Sequence, residues 1–249
     1  MSMQRQLNLN DGCLMSELPF YLQLRDRLVM LIKTGELPAS SRLPAERELA
    51  ERFSTTRVTL RQALAQLESE GQIYRSNRRG WFVSPERLNY EPVKDVSFTR
   101  YVTAQGRTPM TQVLGFEHAV ASVSVAAALE LLPGDPVYCL RRRRYVDERL
   151  VLVERIWLNA QYLPDLEKER FDLSLWQLFA HKYGIELTDK SISIIPTALT
   201  GEFADALEVN SGCPGLHITR ISKTTSGQVV EYDEEYWLHD VLSISVSSQ

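Results

Sequence analysis

Little in this chain of 249 residues can form a cross-link or hold a metal. It has three cysteines, Cys13, Cys139 and Cys213, which are far apart and form no CxxC pair. That pattern argues against a disulfide frame or a thiolate zinc site and fits reduced thiols in a cytoplasm. His118, His181, His217 and His239 are scattered without metal-ligand spacing, so neither a metal nor another cofactor is expected. No apolar run approaches the roughly 18 to 20 residues that span a bilayer. The opening MSMQRQLNLNDGCLMSE is too polar for a secretory signal, so a cytoplasmic protein with no membrane partner is expected. P-loop, dinucleotide and nucleophile-elbow fingerprints are missing, as are internal repeats and low-complexity segments.

The formal net charge is −4, which by itself speaks against a nucleic-acid partner. Its distribution speaks the other way. Residues 18–84 carry 11 Lys and Arg against 7 Asp and Glu, whereas residues 85–249 carry 16 against 23. A mildly basic head joined to an acidic body is the asymmetry of a DNA-binding module carrying a second domain.

Apolar spacing predicts an α+β protein in four parts. Residues 1–17 read as a mobile tail, 18–84 as a helix-turn-helix with a wing, 85–95 as a linker and hinge, and 96–249 as a second domain. In the head, Leu24, Leu28, Leu31 and Ile32 mark a first helix that begins near Pro19 and stops at Thr34-Gly35. Pro44 is expected at the first position of a second helix, with Leu49, Ala50 and Phe53 buried. Ser54-Thr55-Thr56 forms the turn and caps a third helix, whose buried stripe is read as Val58, Leu60, Ala63, Leu64 and Leu67. Gly71 ends that helix. Ile73–Arg75 and Trp81–Val83 then flank a basic turn as two short strands.

Beyond the linker, strands are predicted over 136–147, 150–158, 191–195, 216–224, 229–237 and 241–246 in an antiparallel sheet. Helices are predicted over 173–183, ended by Gly184, and over 204–209.

The segment Leu43–Val83, LPAERELAERFSTTRVTLRQALAQLESEGQIYRSNRRGWFV, carries the functional signal. Its third helix opens with Thr56, Arg57, Thr59 and Arg61, where backbone amides and hydroxyls can hold phosphates and arginines can reach guanine edges. Arg47 projects from the helix before it, while Arg75, Arg78 and Arg79 load the wing beside Gly80. One such arginine is most often a solvated charge; the ordered set within a helix-turn-helix frame points to duplex DNA.

This head resembles the GntR family of bacterial repressors, which read P-x-Y-x-Q, LPSERELA and T-R-x-T-x-R. The matching residues are Pro19–Gln23, Leu43–Ala50 and Thr56–Arg61. The resemblance implies DNA contacts at Arg47, Thr56, Arg57, Thr59, Arg61, Arg78, Arg79 and Gly80. The remainder resembles the UTRA effector-binding domain of the HutC branch, with a chorismate-lyase-like fold. Phe98-Thr99, Gly106–Pro109, Arg142–Tyr145, Glu154 with Trp157-Leu158, Ser174–Trp176, Tyr183-Gly184 and Glu231-Tyr232 carry that match. Trp237–Val241 departs from the branch's Y-R-G-D-R, so a role for that arginine does not transfer. Wording around Arg78–Leu88 and Glu235–Asp240 resembles a subgroup of repressors of 2-aminoethylphosphonate uptake and breakdown genes.

The resemblance implies a homodimer that reads an inverted repeat and is released by a small anionic or zwitterionic metabolite such as 2-aminoethylphosphonate. Alternatives are a sugar phosphate or amino-acid derivative as effector, a DNA-binding protein with no effector, and an enzyme using Arg142 and Glu154. The head makes an enzyme the weakest of these. Side chains alternate along a strand, so Arg142 and Arg144 share one face and Arg141 and Arg143 the other. Arg142 and Arg144 are expected to hold an anionic group, with Thr99 and Ser174 adding hydroxyls. Glu154 and Glu231 are expected at the opposite end, facing an ammonium, and Phe98, Trp176 and Trp237 complete the effector set. The bland alternative pairs Arg142 and Arg144 with Glu154 and Glu231 in structural ion pairs, and leaves Trp157, Trp176 and Trp237 as core.

Overall fold

The computed structural model describes residues 18–76, 79–92, 94 and 97–246, and the chain divides into two units, Met1–Glu86 and Arg87–Gln249. The tail expected at 1–17 lies outside the described residues.

The first unit contains α1 (Phe20–Lys33), α2 (Glu46–Arg52), α3 (Arg57–Ser69), β1 (Ile73–Ser76) and β2 (Gly80–Val83). Its core is the apolar set that helical spacing selects: Leu24, Leu28, Leu49, Leu60, Ala63, Leu64 and Leu67, sealed by Ile73 and Val83. Removing one such leucine side chain would cost about 2–5 kcal/mol. Strands β1 and β2 pair antiparallel, with Ile73 opposite Val83 and Ser76 opposite Gly80. The segment before α2 docks on the other edge of β2, through Leu43 N–H to Trp81 O at 2.8 Å and Val83 N–H to Ser41 O at 2.9 Å.

Two details differ from the sequence-based expectation. Pro44 lies outside α2, because Ala45 is the N-cap and has an extended backbone. Val58, expected on the buried stripe, is 69% exposed, because α3 turns Leu60, Ala63, Leu64 and Leu67 inward instead.

The second unit is built on a six-stranded antiparallel sheet. Its strands are β4 (Pro109–Val120), β5 (Pro136–Val146), β6 (Arg149–Asn159), β7 (Leu187–Leu199), β8 (Cys213–Thr224) and β9 (Val229–Leu238), in the spatial order β4-β5-β6-β9-β8-β7. Asp147 and Glu148, both at positive φ, form the two-residue turn between β5 and β6. One face carries α5 (Val123–Leu129), whose Val125, Ala126 and Leu129 pack with Trp157, Ile221 and Tyr232. It also carries α7 (Gly201–Leu207), where Phe203 stacks on Tyr236 with centroids 3.6 Å apart. The other face is covered by α4 (Phe98–Ala104) and α6 (Leu175–Leu178), which continues as a single π-helical turn, Phe179–Tyr183. The helix expected over 173–183 therefore starts later and changes pitch before Gly184, at φ 64°, ends it.

The residues expected as a linker, 85–95, contain β3 (Leu88–Tyr90). It pairs in parallel with β10 (Leu242–Ile244), within the final strand expected over 241–246. Leu88 and Tyr90 are both 2% exposed and belong to the second unit's core, so apolar burial draws this stretch out of solvent. Residues 93 and 95 of the expected linker lie outside the described residues.

Candidate functional site

In the first unit the N-terminus of α3 is open to solvent. Thr56 caps it: its Oγ1 accepts the backbone N–H of Thr59 at 3.2 Å and lies 3.0 Å from Thr59 Oγ1. Arg57 and Arg61, four residues apart on one helical face, are both exposed. Arg61 Nε donates to Glu46 Oε2 at 2.8 Å, and Trp81 Nε1 donates to Oε1 of the same carboxylate at 3.3 Å. The hydrogen bond from Arg61 is the main influence holding the Glu46 carboxyl below its ordinary value. Arg47 is exposed and pairs with Glu51 one turn along α2.

In the wing, Arg79 lies over Phe82 at 5.2 Å and Arg75 over Trp81 at 6.0 Å. Gly80 has φ 99°, and a Cβ there would approach the Arg42 guanidinium at 3.5 Å. Arg78 lies outside the described residues. The other seven residues expected to contact DNA are on α2, α3 and the wing of this one unit.

The second unit has a polar cavity between the sheet and the α4 and α6 side. All nine expected effector residues line it: Phe98, Thr99, Arg142, Arg144, Glu154, Ser174, Trp176, Glu231 and Trp237. Strand alternation explains the assembly. Arg142 and Arg144 are 3% and 5% exposed, whereas Arg141 on the opposite face is open to water.

The expected polarity is not what the structure has. Glu154, placed by the sequence at the far end, sits across the strand pair from Arg142 and accepts from Nε of both Arg142 and Arg144, the latter at 3.0 Å. It therefore neutralises the arginines from between them. Further donors of Arg142 go to the carbonyls of Phe171 and Leu173, and Arg144 Nη1 reaches Thr111 Oγ1 at 2.5 Å. Burial, followed by the neighbouring Arg144 charge, pushes the Arg142 guanidinium below its usual range. Among the described residues no arginine hydrogen-bonds to Glu231, which accepts from Ser222 Oγ at 2.9 Å and Trp176 Nε1 at 3.1 Å. Thus the bland pairing holds for Glu154 and fails for Glu231.

Ser174 Oγ caps α6 as it borders the cavity, and Trp237 is both 1% exposed and cavity-lining. Trp157 faces the opposite side, where its Nε1 donates to Glu234 at 3.1 Å.

Sequence reasoning missed several wall residues, chiefly Tyr90, Arg220, Asp233 and Glu235. A signal for two of them existed: Glu231, Asp233, Glu235 and Trp237 occupy alternate positions of β9 and so share one face. Burial raises the carboxyl pKa of Glu231 and Glu235 and lifts that of Asp233 well above its ordinary value. Arg220 Nη2 donates to Tyr90 Oη at 2.5 Å and its donors also approach Pro92 O at 3.4 Å.

A winged helix-turn-helix followed in the chain by a sheet domain with a polar cavity defines a class, the DNA-binding regulators with an effector domain. Residues 104–243 match the family described as "UTRA domain", and residues 20–83 match "Bacterial regulatory proteins, gntR family". The chain belongs to the UTRA-domain, HutC-like regulators of the gntR family.

It is 28% identical over 225 residues to the HTH-type transcriptional repressor NagR of Bacillus subtilis, covering 90% of this chain and 93% of that one. It is 27% identical over 235 residues to the mannosyl-D-glycerate transport/metabolism system repressor MngR of Escherichia coli, covering 94% and 98%. The fold matches the crystal structure of PhnF from Mycobacterium smegmatis with a TM-score of 0.64 at 24% identity, over 91% of this chain and 99% of that one. Transcription regulation through DNA binding, of the repressor type, follows from this membership. Among the described residues no helix is long and apolar enough to cross a membrane.

Proposed function

We propose that this protein is a repressor whose homodimer holds an inverted-repeat operator through α3 and the wing, and releases it when a small zwitterion such as 2-aminoethylphosphonate fills the cavity. Two dyad-related heads double the base contacts and suit a palindromic site. On α3, Thr56 and Thr59 lie where phosphates approach a helix N-terminus. Arg57 and Arg61 extend toward base edges, and Arg47 and Arg79 with the close-approaching Gly80 reach the flanking backbone, a contact that the family resemblance also implies for Arg78.

The observation that carries the effector assignment is that both signs of charge line one largely buried cavity: Arg142, Arg144 and Arg220 together with Glu154, Glu231, Asp233 and Glu235. Forked guanidinium donors suit a phosphonate's three oxygens. Ser174 and Thr99 supply hydroxyls beside them, and Phe98, Trp176 and Trp237 form the walls. Occupation shifts the dimer toward a state whose heads no longer match the half-sites, and a coupling of about 1–3 kcal/mol suffices for several-fold to more than hundredfold release.

The test is fluorescence anisotropy of the full-length protein on DNA from its own upstream region, at fixed salt. Release by 2-aminoethylphosphonate, and not by phosphate or a sugar phosphate, is expected. Tight binding that ignores the phosphonate but responds to a sugar phosphate or amino-acid derivative would replace the ligand and keep the regulator. A complex indifferent to all of them would remove the effector.

A further inference from the structure

We propose that Asp233 recognises a cationic pole, so that the occupant of this cavity carries a protonated amine. This rests on the effector function proposed above and assigns one residue the discrimination between amine-bearing and amine-free ligands.

Asp233 projects from β9 into the cavity wall, between Glu231 and Glu235 on the same strand face, and is 8% exposed. Its register partners are Ile156 on β6, which offers no polar group, and Arg220 on β8. Arg220 directs its guanidinium to Tyr90 Oη and Pro92 O. Arg142 and Arg144 are held by Glu154, by the carbonyls of Phe171 and Leu173, and by Thr111. Glu231 receives Ser222 and Trp176, and Glu235 receives Trp237 Nε1 at 2.6 Å. Asp233 Oδ1 alone among these wall carboxylates is a buried oxygen with no donor among the described residues.

A buried acceptor without a donor is costly, and a folded protein retains one mainly where something else supplies the partner. Here the cavity's charged lining holds four carboxylates and three arginines, and an unsatisfied acceptor is on the acidic side. The missing partner is thus a donor bearing positive charge. A primary ammonium offers three N–H donors to Asp233 with Glu231 and Glu235 on either side, while the anionic end of the same molecule lies toward Arg142 and Arg144. Burial, together with the charges of Glu154, Glu235 and Glu231, makes Asp233 hold its proton strongly, and an arriving ammonium reverses that balance.

The experiment is calorimetric titration of the full-length protein and its Asp233→Asn variant with two matched pairs: 2-aminoethylphosphonate against ethylphosphonate, and glucosamine 6-phosphate against glucose 6-phosphate. The wild-type protein is expected to prefer the amine-bearing member of a pair by about tenfold or more. Asp233→Asn should lose that preference while binding the amine-free member within about threefold of wild type.

An undiminished amine preference in Asp233→Asn overturns the proposal. So does wild-type binding of ethylphosphonate as tight as that of the aminophosphonate, which leaves the phosphonate effector standing. Amine-dependent binding of glucosamine 6-phosphate alone, lost in Asp233→Asn, supports Asp233 and removes the phosphonate. Thermal unfolding without ligand decides the case in which no compound binds. Relief of carboxylate crowding should raise the Tm of Asp233→Asn by about 2–4 °C, whereas a fall would mark a structural role and overturn the proposal.

Discussion

Glu46 and Arg61 are joined by a 2.8 Å hydrogen bond from Arg61 Nε to Glu46 Oε2, and through Trp81 the same carboxylate ties α2 and α3 to the wing. Arg61 is nonetheless 69% exposed, so the pair contributes little stability, on the order of 0–1 kcal/mol. Its larger effect is to offset a positive charge where DNA phosphates would lie. Glu46→Gln should therefore bind operator and random DNA several-fold more tightly with a nearly unchanged Tm. Arg61→Ala should lose about 1–3 kcal/mol of operator affinity, mainly at one base position. Anisotropy titrations over a series of salt concentrations check both.

Thr56 holds the first turn of α3 through its side chain. Thr56→Ala should cost about 1 kcal/mol of stability, and Thr56→Ser should recover most of it. Urea denaturation followed by circular dichroism measures this directly. Operator affinity should fall with the alanine variant by more than the stability loss explains, because the same hydroxyl lies at the end of the helix proposed to meet DNA phosphates.

Arg149 Nη2 donates to both carboxylate oxygens of Asp240 at 2.7 and 2.8 Å, and the two side chains are 8% and 3% exposed. Removing one partner leaves the other charged and buried, which costs about 3–5 kcal/mol. Asp240→Ala should accordingly lower the Tm of the whole protein by several degrees, and calorimetry would detect it as a loss in the second unit.

Stability should also depend on pH through the β9 carboxyls. Glu231, Asp233 and Glu235 hold their protons to higher pH in the folded protein than in the unfolded chain, through burial above all. Glu154 and the three carboxyls themselves press in the same direction, while Arg142, Arg144 and Arg220 oppose it. A carboxyl with a raised folded pKa favours folding below its unfolded value, and that contribution is lost as pH rises through the folded one. Urea midpoints of the unliganded protein should therefore fall from about pH 4.5 upward, with a shallower slope in Asp233→Asn.

The head was legible in detail because its signals are local. Leucine spacing, the Thr56 cap and Gly71 at φ 71° each act within a turn or two of chain. Val58 misled because periodicity marks a stripe but not its edge. In the second unit, alternation placed Arg142 and Arg144 on one face, and the family motifs gathered nine cavity residues. What remained hidden is non-local. No residue pattern announces that Glu154 lies between two arginines rather than opposite them, since this depends on the β5–β6 register. The same holds for Tyr90, whose place at the cavity depends on a strand near the far end of the unit.

That strand pairing also orders the making of the molecule. In the native fold Leu88–Tyr90 pairs with Leu242–Ile244, so the strand that opens the second unit must wait for that late strand to be made. At typical ribosomal rates the interval is roughly ten to thirty seconds, during which Leu88 and Tyr90 have no native sheet to join. Every core residue of the head, by contrast, has been synthesised by Val83. A chain terminated just before Leu242 would therefore hold the complete apolar set of the head, joined to a second unit whose first strand never finds its partner.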